Sequence, residues 1–337
     1  MQRCGLTRIT LAALMAVSFA DLVYPQPYRS RVTAVDPTTS NPLPPPTYAR
    51  DDGELHLVPV QGNVSLLAGA GGNITISAGD EDGILLVDAG SDLTADRVVA
   101  MLRPMSAKPI RFIINTSMDR DHTAGNAKIA AAGNEFTGGN VESEQQARIF
   151  AHESVLERMS RNKGVPFGSM PSDTYRSMLN LSHFFNGEGV QMIHVPNAHT
   201  DGDTIVYFRF SDVISAGDIF LTTGYPVIDL QNGGSVQGII DALNRILQLA
   251  VPYFRTEGGT LIIPGHGRVC DSTEVAYYRD MLTIIRDRVL DMIKKGMALE
   301  QVKNAHPTLD YDPRFGSSTG SWTTDMFVEA VYKSLKR

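Results

Sequence analysis

Six acidic or imidazole side chains stand near the predicted ends of hydrophobic strands, and together they form a donor set for a divalent ion. The densest group lies in Asn115-Thr116-Ser117-Met118-Asp119-Arg120-Asp121-His122. In an extended loop alternate side chains face one way, so positions 117, 119 and 121 converge, and His122 joins them as a helix begins. Farther on, His199 sits in Asn197-Ala198-His199-Thr200-Asp201-Gly202-Asp203, Asp218 follows Ser215-Ala216-Gly217, and His266 follows Pro264-Gly265. A lone histidine after a strand is more often a hydrogen-bonded loop residue than a ligand, and a lone Asp after Gly is usually a turn former. Four such places, each following a hydrophobic strand, are harder to explain as turn chemistry. Mixed imidazole and carboxylate donors suit zinc, iron or manganese.

The elements that must position these residues can be read from the apolar pattern. Segments 55–67, 73–79 and 84–88 are rich in Val, Ile and Leu and separated by Gly-Asn or Asp-Gly turns, which predicts consecutive antiparallel strands. A helix over 94–104 ends at Pro104, a strand follows at 110–115, and a helix over about 122–132 stops at Gly133. The second half repeats this grammar. A short strand runs into a helix over 148–160, strands follow at 190–195, 203–210 and 212–216, then a helix at 234–250 and a strand at 260–263. A long amphipathic helix at 272–295 and shorter ones at 297–304 and 323–336 close the chain. Runs of strands with helices between them predict an α/β fold of two sheets stacked face to face with helices outside. Residues 161–187 are the least regular and are expected to form a flexible flap.

Composition narrows the function classes. The chain has 337 residues, 42% of them hydrophobic and 20% charged, enough for one core without disulfide staples. A net charge of −7 with no basic run excludes a nucleic-acid partner. Residues 1–20 carry Arg3 and Arg8, an apolar stretch from Ile9 to Phe19, and Ser18-Phe19-Ala20 before a cut; this is the pattern of a signal peptide, too short for a comfortable membrane span. Its removal takes away Cys4 and leaves Cys270 alone, so no internal disulfide is expected in an exported, periplasmic or secreted protein. Residues 21–54 read as a Pro-rich extended leader and 55–337 as the folded domain with C-terminal helices. No phosphate-binding Gly-Lys-Ser loop occurs.

The order and context of the six residues resemble the metallo-β-lactamase superfamily, particularly its glyoxalase II-like members. Its signature is His-x-His-x-Asp-His after a strand, a distant His before Thr-x-Gly, a Gly-Asp and a late Gly-His; Val87-Asp88-Ala89-Gly90 also resembles its Asp-Thr-Gly-like turn. The resemblance implies an αββα four-layer sandwich of two mixed β-sheets with outer helices. It implies that Asp121, His122 and His266 hold one metal with Asp218 bridging to a neighbouring site that keeps His199. This chain departs from the family at Ser117 and Asp119, where the family has histidines. A serine hydroxyl binds a divalent ion weakly beside neutral imidazole, so the neighbouring site is expected to be the looser one. Three carboxylates also reduce the formal charge of a two-ion centre to about +1, which acidifies bound water less and shifts preference from zinc toward manganese or iron.

The chemistry expected of such a centre is hydrolysis of a carbonyl ester, thioester or lactam/amide in a small-molecule substrate, by water that zinc, or else manganese or iron, makes acidic enough to attack. Asp119 or Asp121 would hold the proton and pass it to the leaving group. Two alternatives use the same residues: an iron-dependent oxygen- or sulfur-reactive oxidoreductase of this fold, or an inactive member that binds metal or ligand without turnover. Around the centre, Asp88 is a candidate to orient a ligand. His152, His194, Asp201, Asp203 and Cys270 are expected to be structural, and Tyr225, Asp229 and Ser235 are weaker candidates for lining the cleft.

Overall fold

Two five-residue strands buried at every position mark the middle of the molecule, because a strand covered on both faces can be apolar nearly throughout. One is Gly83–Val87 and the other Thr204–Phe208. The computed structural model describes residues 52–134, 146–181, 184–251 and 259–336. In it, β1 (His56–Gln61), β2 (Val64–Ala68), β3 (Ile74–Gly79), β4 (Gly83–Val87), β5 (Ile110–Ile114), β6 (Arg148–His152) and β7 (Asp173–Tyr175) form one sheet in chain order. The pairing is antiparallel from β1 to β4 and parallel from β4 to β7. The second sheet runs β8 (Met178–Asn180), β9 (Val190–His194), β10 (Thr204–Phe208), β11 (Val213–Ser215), β12 (Leu261–Ile263) and β13 (Cys270–Asp271), antiparallel except for the β11–β12 pair.

The period of two assigns each strand face to a layer. Leu85 and Val87 of β4 meet Val206 and Phe208 of β10 in the core between the sheets. Ile84 and Leu86 face outward, against Val98 and Leu102 of α1 (Ala95–Leu102) and Ile129 of α3 (Asn126–Ala131), which follows the single turn α2 (Arg120–Thr123). After α4 (Glu153–Arg161), the outer face of the second sheet, with Ile205 and Tyr207 of β10, is covered by α5 (Val236–Leu249), α6 (Ser272–Lys294) and, beyond α7 (Leu299–Asn304) and α8 (Asp312–Phe315), by α9 (Thr324–Leu335). This is the four-layer αββα sandwich expected from the sequence.

Three expectations change in detail. The segment 55–67 is two strands folded at Gly62-Asn63, not one. The helix expected over 122–132 breaks between α2 and α3, because Gly125 is pressed against the turn after β4: its N–H donates to Gly90 O (3.0 Å), and a Cβ there would collide with Ala89 O. Residues 161–187 are not simply a flap; β7 completes the first sheet and β8 the second, so the segment carries the chain from one sheet to the other. The expected signal peptide and all but the end of the leader lie outside the described residues. No helix among the described residues is long and apolar enough to cross a membrane.

The six candidate ligands lie at one edge of the sandwich. β4 and β5 run parallel, so Asp88 and the 115–122 loop leave the first sheet on the same side. β11 and β12 run parallel too, and β10 begins where β11 ends, which puts Asp218, His266 and the His199 loop together. Backbone and side-chain bonds tie the two sheets at this edge. Thr204 N donates to Thr116 O (2.9 Å), Asn73 N to Gly265 O (2.8 Å), and Asn73 Nδ2 to Pro264 O (2.9 Å).

The interior between the sheets should dominate stability. Phe208→Ala, at a fully buried position of that core, should lower the unfolding free energy by about 3–5 kcal/mol, whereas Phe210→Ala, at an exposed position two residues on, should change it by roughly 0.5 kcal/mol or less. Urea melts of both variants read this directly, and equal losses would contradict the layer assignment.

Candidate metal centre

His122 is the most enclosed of the candidate ligands. Its side chain is 0% exposed and lies between two carboxylates: Nδ1 is 2.8 Å from Asp88 Oδ2, and Nε2 is 3.2 Å from Asp218 Oδ1. The second pair is out of line for a hydrogen bond, so His122 Nε2 and Asp218 Oδ1 are both buried without a hydrogen-bond partner. Two buried lone-pair atoms left facing one point fit an ion better than any arrangement of this chain's own donors. Glycine surrounds them: a Cβ on Gly72 would sit 2.6 Å from the His122 ring, and one on Gly265 would strike Asp218 Oδ1.

Two groups of three donors result, Asp121 with His122 and His266, and Asp119 with His199 and Asp218; within each, the ligand atoms lie within 4.8 Å of one another. His266 Nε2 is 3.1 Å from Asp121 Oδ2 and 3.7 Å from Asp218 Oδ1, while His199 Nε2 is 3.2 Å from Asp119 Oδ2. Asp218 therefore stands between the two groups, where a bridging carboxylate has to be. The donor types, imidazole nitrogen and carboxylate oxygen, fit a divalent metal. Ser117 is buried, and its Oγ accepts the Asp119 N–H at 3.2 Å, so it shapes the loop that presents Asp119.

The electrostatics follow from this packing. Burial disfavours the charged His122 ring, but the carboxylates of Asp218 and Asp88 outweigh it and hold its pKa well above the ordinary value. His199 is raised in the same way by Asp203 and Asp119 against its own burial. Burial would raise the Asp218 pKa, yet the neighbouring rings of His122, and then of His266 and His199, hold it well below the usual carboxylate range. Asp121 is lowered despite burial by its hydrogen bond to His266 and by the charge at His122.

Asp88 orients His122 as expected, and does so from a left-handed backbone conformation (φ 67°) that Asp tolerates better than most residues. Its carboxylate also accepts from Thr116 N (2.8 Å) and Thr116 Oγ1 (2.7 Å), which fixes the start of the ligand loop. Asp203, expected to serve only the turn, does more. It accepts from Thr200 N (2.7 Å), but its Oδ1 also lies 3.3 Å from His199 Nδ1, making it the counterpart of Asp88. Its place four residues after His199 is the signal the sequence offers.

The remaining candidates are structural. His152 and His194 stack with ring centroids 3.6 Å apart across the two sheets, and each Nε2 bonds a backbone carbonyl. Asp201 receives Arg158, and Cys270 is buried in the outer core. Tyr225, Asp229 and Ser235 do not line the cleft. Tyr225 is buried with its hydroxyl on Asp312 (2.9 Å), Asp229 caps the turn at 230–232, and Ser235 caps α5. The cleft itself, about 770 Å³, is walled by residues from the 118–128 and 158–169 stretches; Asp119 is the one candidate ligand among the described residues that lines it.

A family model described as the metallo-beta-lactamase superfamily matches residues 58–266. The linear primary-alkylsulfatase of Pseudomonas sp. (strain ATCC 19151) is 22% identical over 299 residues, which cover 75% of this chain and 53% of that protein. The chain thus spans about half the length of the curated relative it matches. Among solved structures, a stereoselective inverting sec-alkylsulfatase from Pseudomonas sp. is similar at TM-score 0.59 and 16% identity, covering 83% of this chain and 50% of that one. A metallo-beta-lactamase from Pontibacter korlensis is similar at TM-score 0.50 and 14% identity, covering 68% and 99%. At these identities the structural likeness concerns the fold.

Because an entering ion must displace protons from raised imidazoles, zinc should bind more tightly at pH 8 than at pH 6. Asp88→Asn keeps the shape but weakens the hold on His122, and should reduce zinc affinity by about 10- to 100-fold at both pH values. Competition titrations with a chelating dye check both; an affinity independent of pH and of Asp88 would contradict this geometry.

Proposed function

The chain belongs to the metallo-β-lactamase superfamily, and from that premise we propose that it is a metal-dependent hydrolase of a small-molecule ester, with two metal positions that share Asp218. The observation that carries the reading is the meeting of two three-donor groups at Asp218, which belongs to the second and also faces His122 and His266 of the first. In this reading Asp121, His122, His266 and Asp218 hold the tighter ion, zinc before manganese or iron, and His199 and Asp119 with Asp218 hold a second, weaker one. A bound ion supplies Lewis acidity, lowering the pKa of water and drawing charge from the bond to be cleaved.

The chain's own groups do the rest. Asp88 and Asp203 keep His122 and His199 turned toward the centre. Asp119 faces both His199 and the cleft, so its carboxylate is placed to take a proton from the attacking water and return it to the leaving group. Asp121, its side chain 43% exposed beside His266, is the other carboxylate within reach. A cleft of about 770 Å³ is in the range for a small molecule.

Carbonyl esters, thioesters and lactams or amides are the bonds the sequence suggests. Linear alkyl sulfates join them because the 22% identical relative is a linear primary-alkylsulfatase. Residues 1–20, read as a signal peptide, would place the activity in the periplasm or outside the cell.

The test is turnover of these four substrate classes by protein loaded in turn with zinc, manganese and iron. At least one class should be hydrolysed, with activity lost on chelation and in Asp218→Asn. An inert protein across the panel would sink the hydrolase. An iron absorption band with oxygen consumption would point to the oxidoreductase alternative instead.

A further inference from the structure

Among the described residues, the cleft beside Asp119 contains one cation that the fold leaves without a counter-ion. Arg120, Lys128, Arg158 and Arg161 all line it. Lys128 is bound to Asp96, Arg158 to Asp201 and Asn232, and Arg161 to Glu157. Arg120 is exposed and makes no ion pair or side-chain hydrogen bond among the described residues. It stands in sequence between Asp119 and Asp121, yet neither carboxylate neutralises it, since the first faces His199 and the second His266.

The neighbouring wall is apolar. Met159 belongs to a small buried cluster against which Met118 and Val165 pack, and Ala124, Ala127 and Pro166 continue that surface into the cleft. A free arginine on a solvated surface is ordinary. One placed between two candidate metal ligands, where every other cation lining the cleft is already paired, is positioned to meet something brought from outside. Its planar fork of N–H donors matches an oxyanion, and the apolar wall suits a hydrocarbon chain.

We propose that Arg120 is a specificity residue that anchors the oxyanionic head of an amphiphilic substrate, a carboxylate or a sulfate, whose hydrocarbon part lies along Met118, Met159 and Val165. The inference rests on the hydrolase reading only in taking this cleft as the place where substrate lies; binding is measured without turnover.

The experiment is calorimetric titration of the metal-loaded full chain with octanoate, octanesulfonate (a sulfate-like head with no ester bond to cleave) and octanol, each below its micellar concentration, for wild type, Arg120→Lys and Arg120→Ala. At least one anion should bind wild type more tightly than octanol does. Arg120→Ala should weaken that anion by about 10- to 100-fold while leaving octanol unchanged, with Arg120→Lys in between. The anion that loses more identifies the head group. The proposal is overturned if octanol binds as tightly as both anions, if neither anion binds, or if Arg120→Ala binds them as wild type does. Arg120-dependent binding in a protein inert on every substrate class would support this inference while the hydrolase failed.

Discussion

The imidazole of His122, enclosed on both sides by carboxylates and removed from water, is the constraint on which the rest of the site depends. Placing a charged or polar cluster in such a position is unfavourable unless every group finds a partner. Asp88 satisfies one ring nitrogen from the end of the first sheet's fourth strand. The other nitrogen and Asp218 face each other from different sheets with nothing in line between them. A proton can compensate this arrangement, and so can a metal ion. The ion adds what the proton does not, a reason for His266, Asp121, His199 and Asp119 to converge on the same few ångströms.

The scaffold explains why convergence is possible. Loops at one edge come from strands paired in parallel within each sheet, and Asn73 fastens the backbone on both sides of Gly265 across the interface. The glycines at 72 and 265 are small because the ligands occupy the space a methyl group would need. A rigid edge of this kind holds donors in place before any ion arrives, which keeps reorganisation small.

The layers are legible in the sequence because continuous apolar runs such as Gly83–Val87 and Thr204–Phe208 leave few ways to pack. The six donor residues are legible because each follows such a run. What cannot be read is long-range and small. Nothing in residues near 72 announces contact with His122, and the collision that breaks the helix at Gly125 requires knowing where Ala89 lies. Asp203 is visible but ambiguous, since a carboxylate closing a turn and one orienting a histidine leave the same local pattern. The cleft candidates after Asp218 fail for a related reason: Tyr225 and Ser235 complete the helical layer, and proximity in sequence to a ligand does not place them beside it. Ser117 and Asp119 stand where the signature this chain resembles has histidines, and in the proposed centre that third carboxylate should make the second position favour a harder or more weakly held ion.

Elemental analysis of the purified chain, made after growth with zinc, manganese and iron together, measures the central claim most directly. One tightly held divalent ion per chain is expected, with a second removed by mild chelation, and His122→Ala should abolish the first. A folded chain that carries no stoichiometric metal under these conditions would contradict the assignment of this edge as a metal centre.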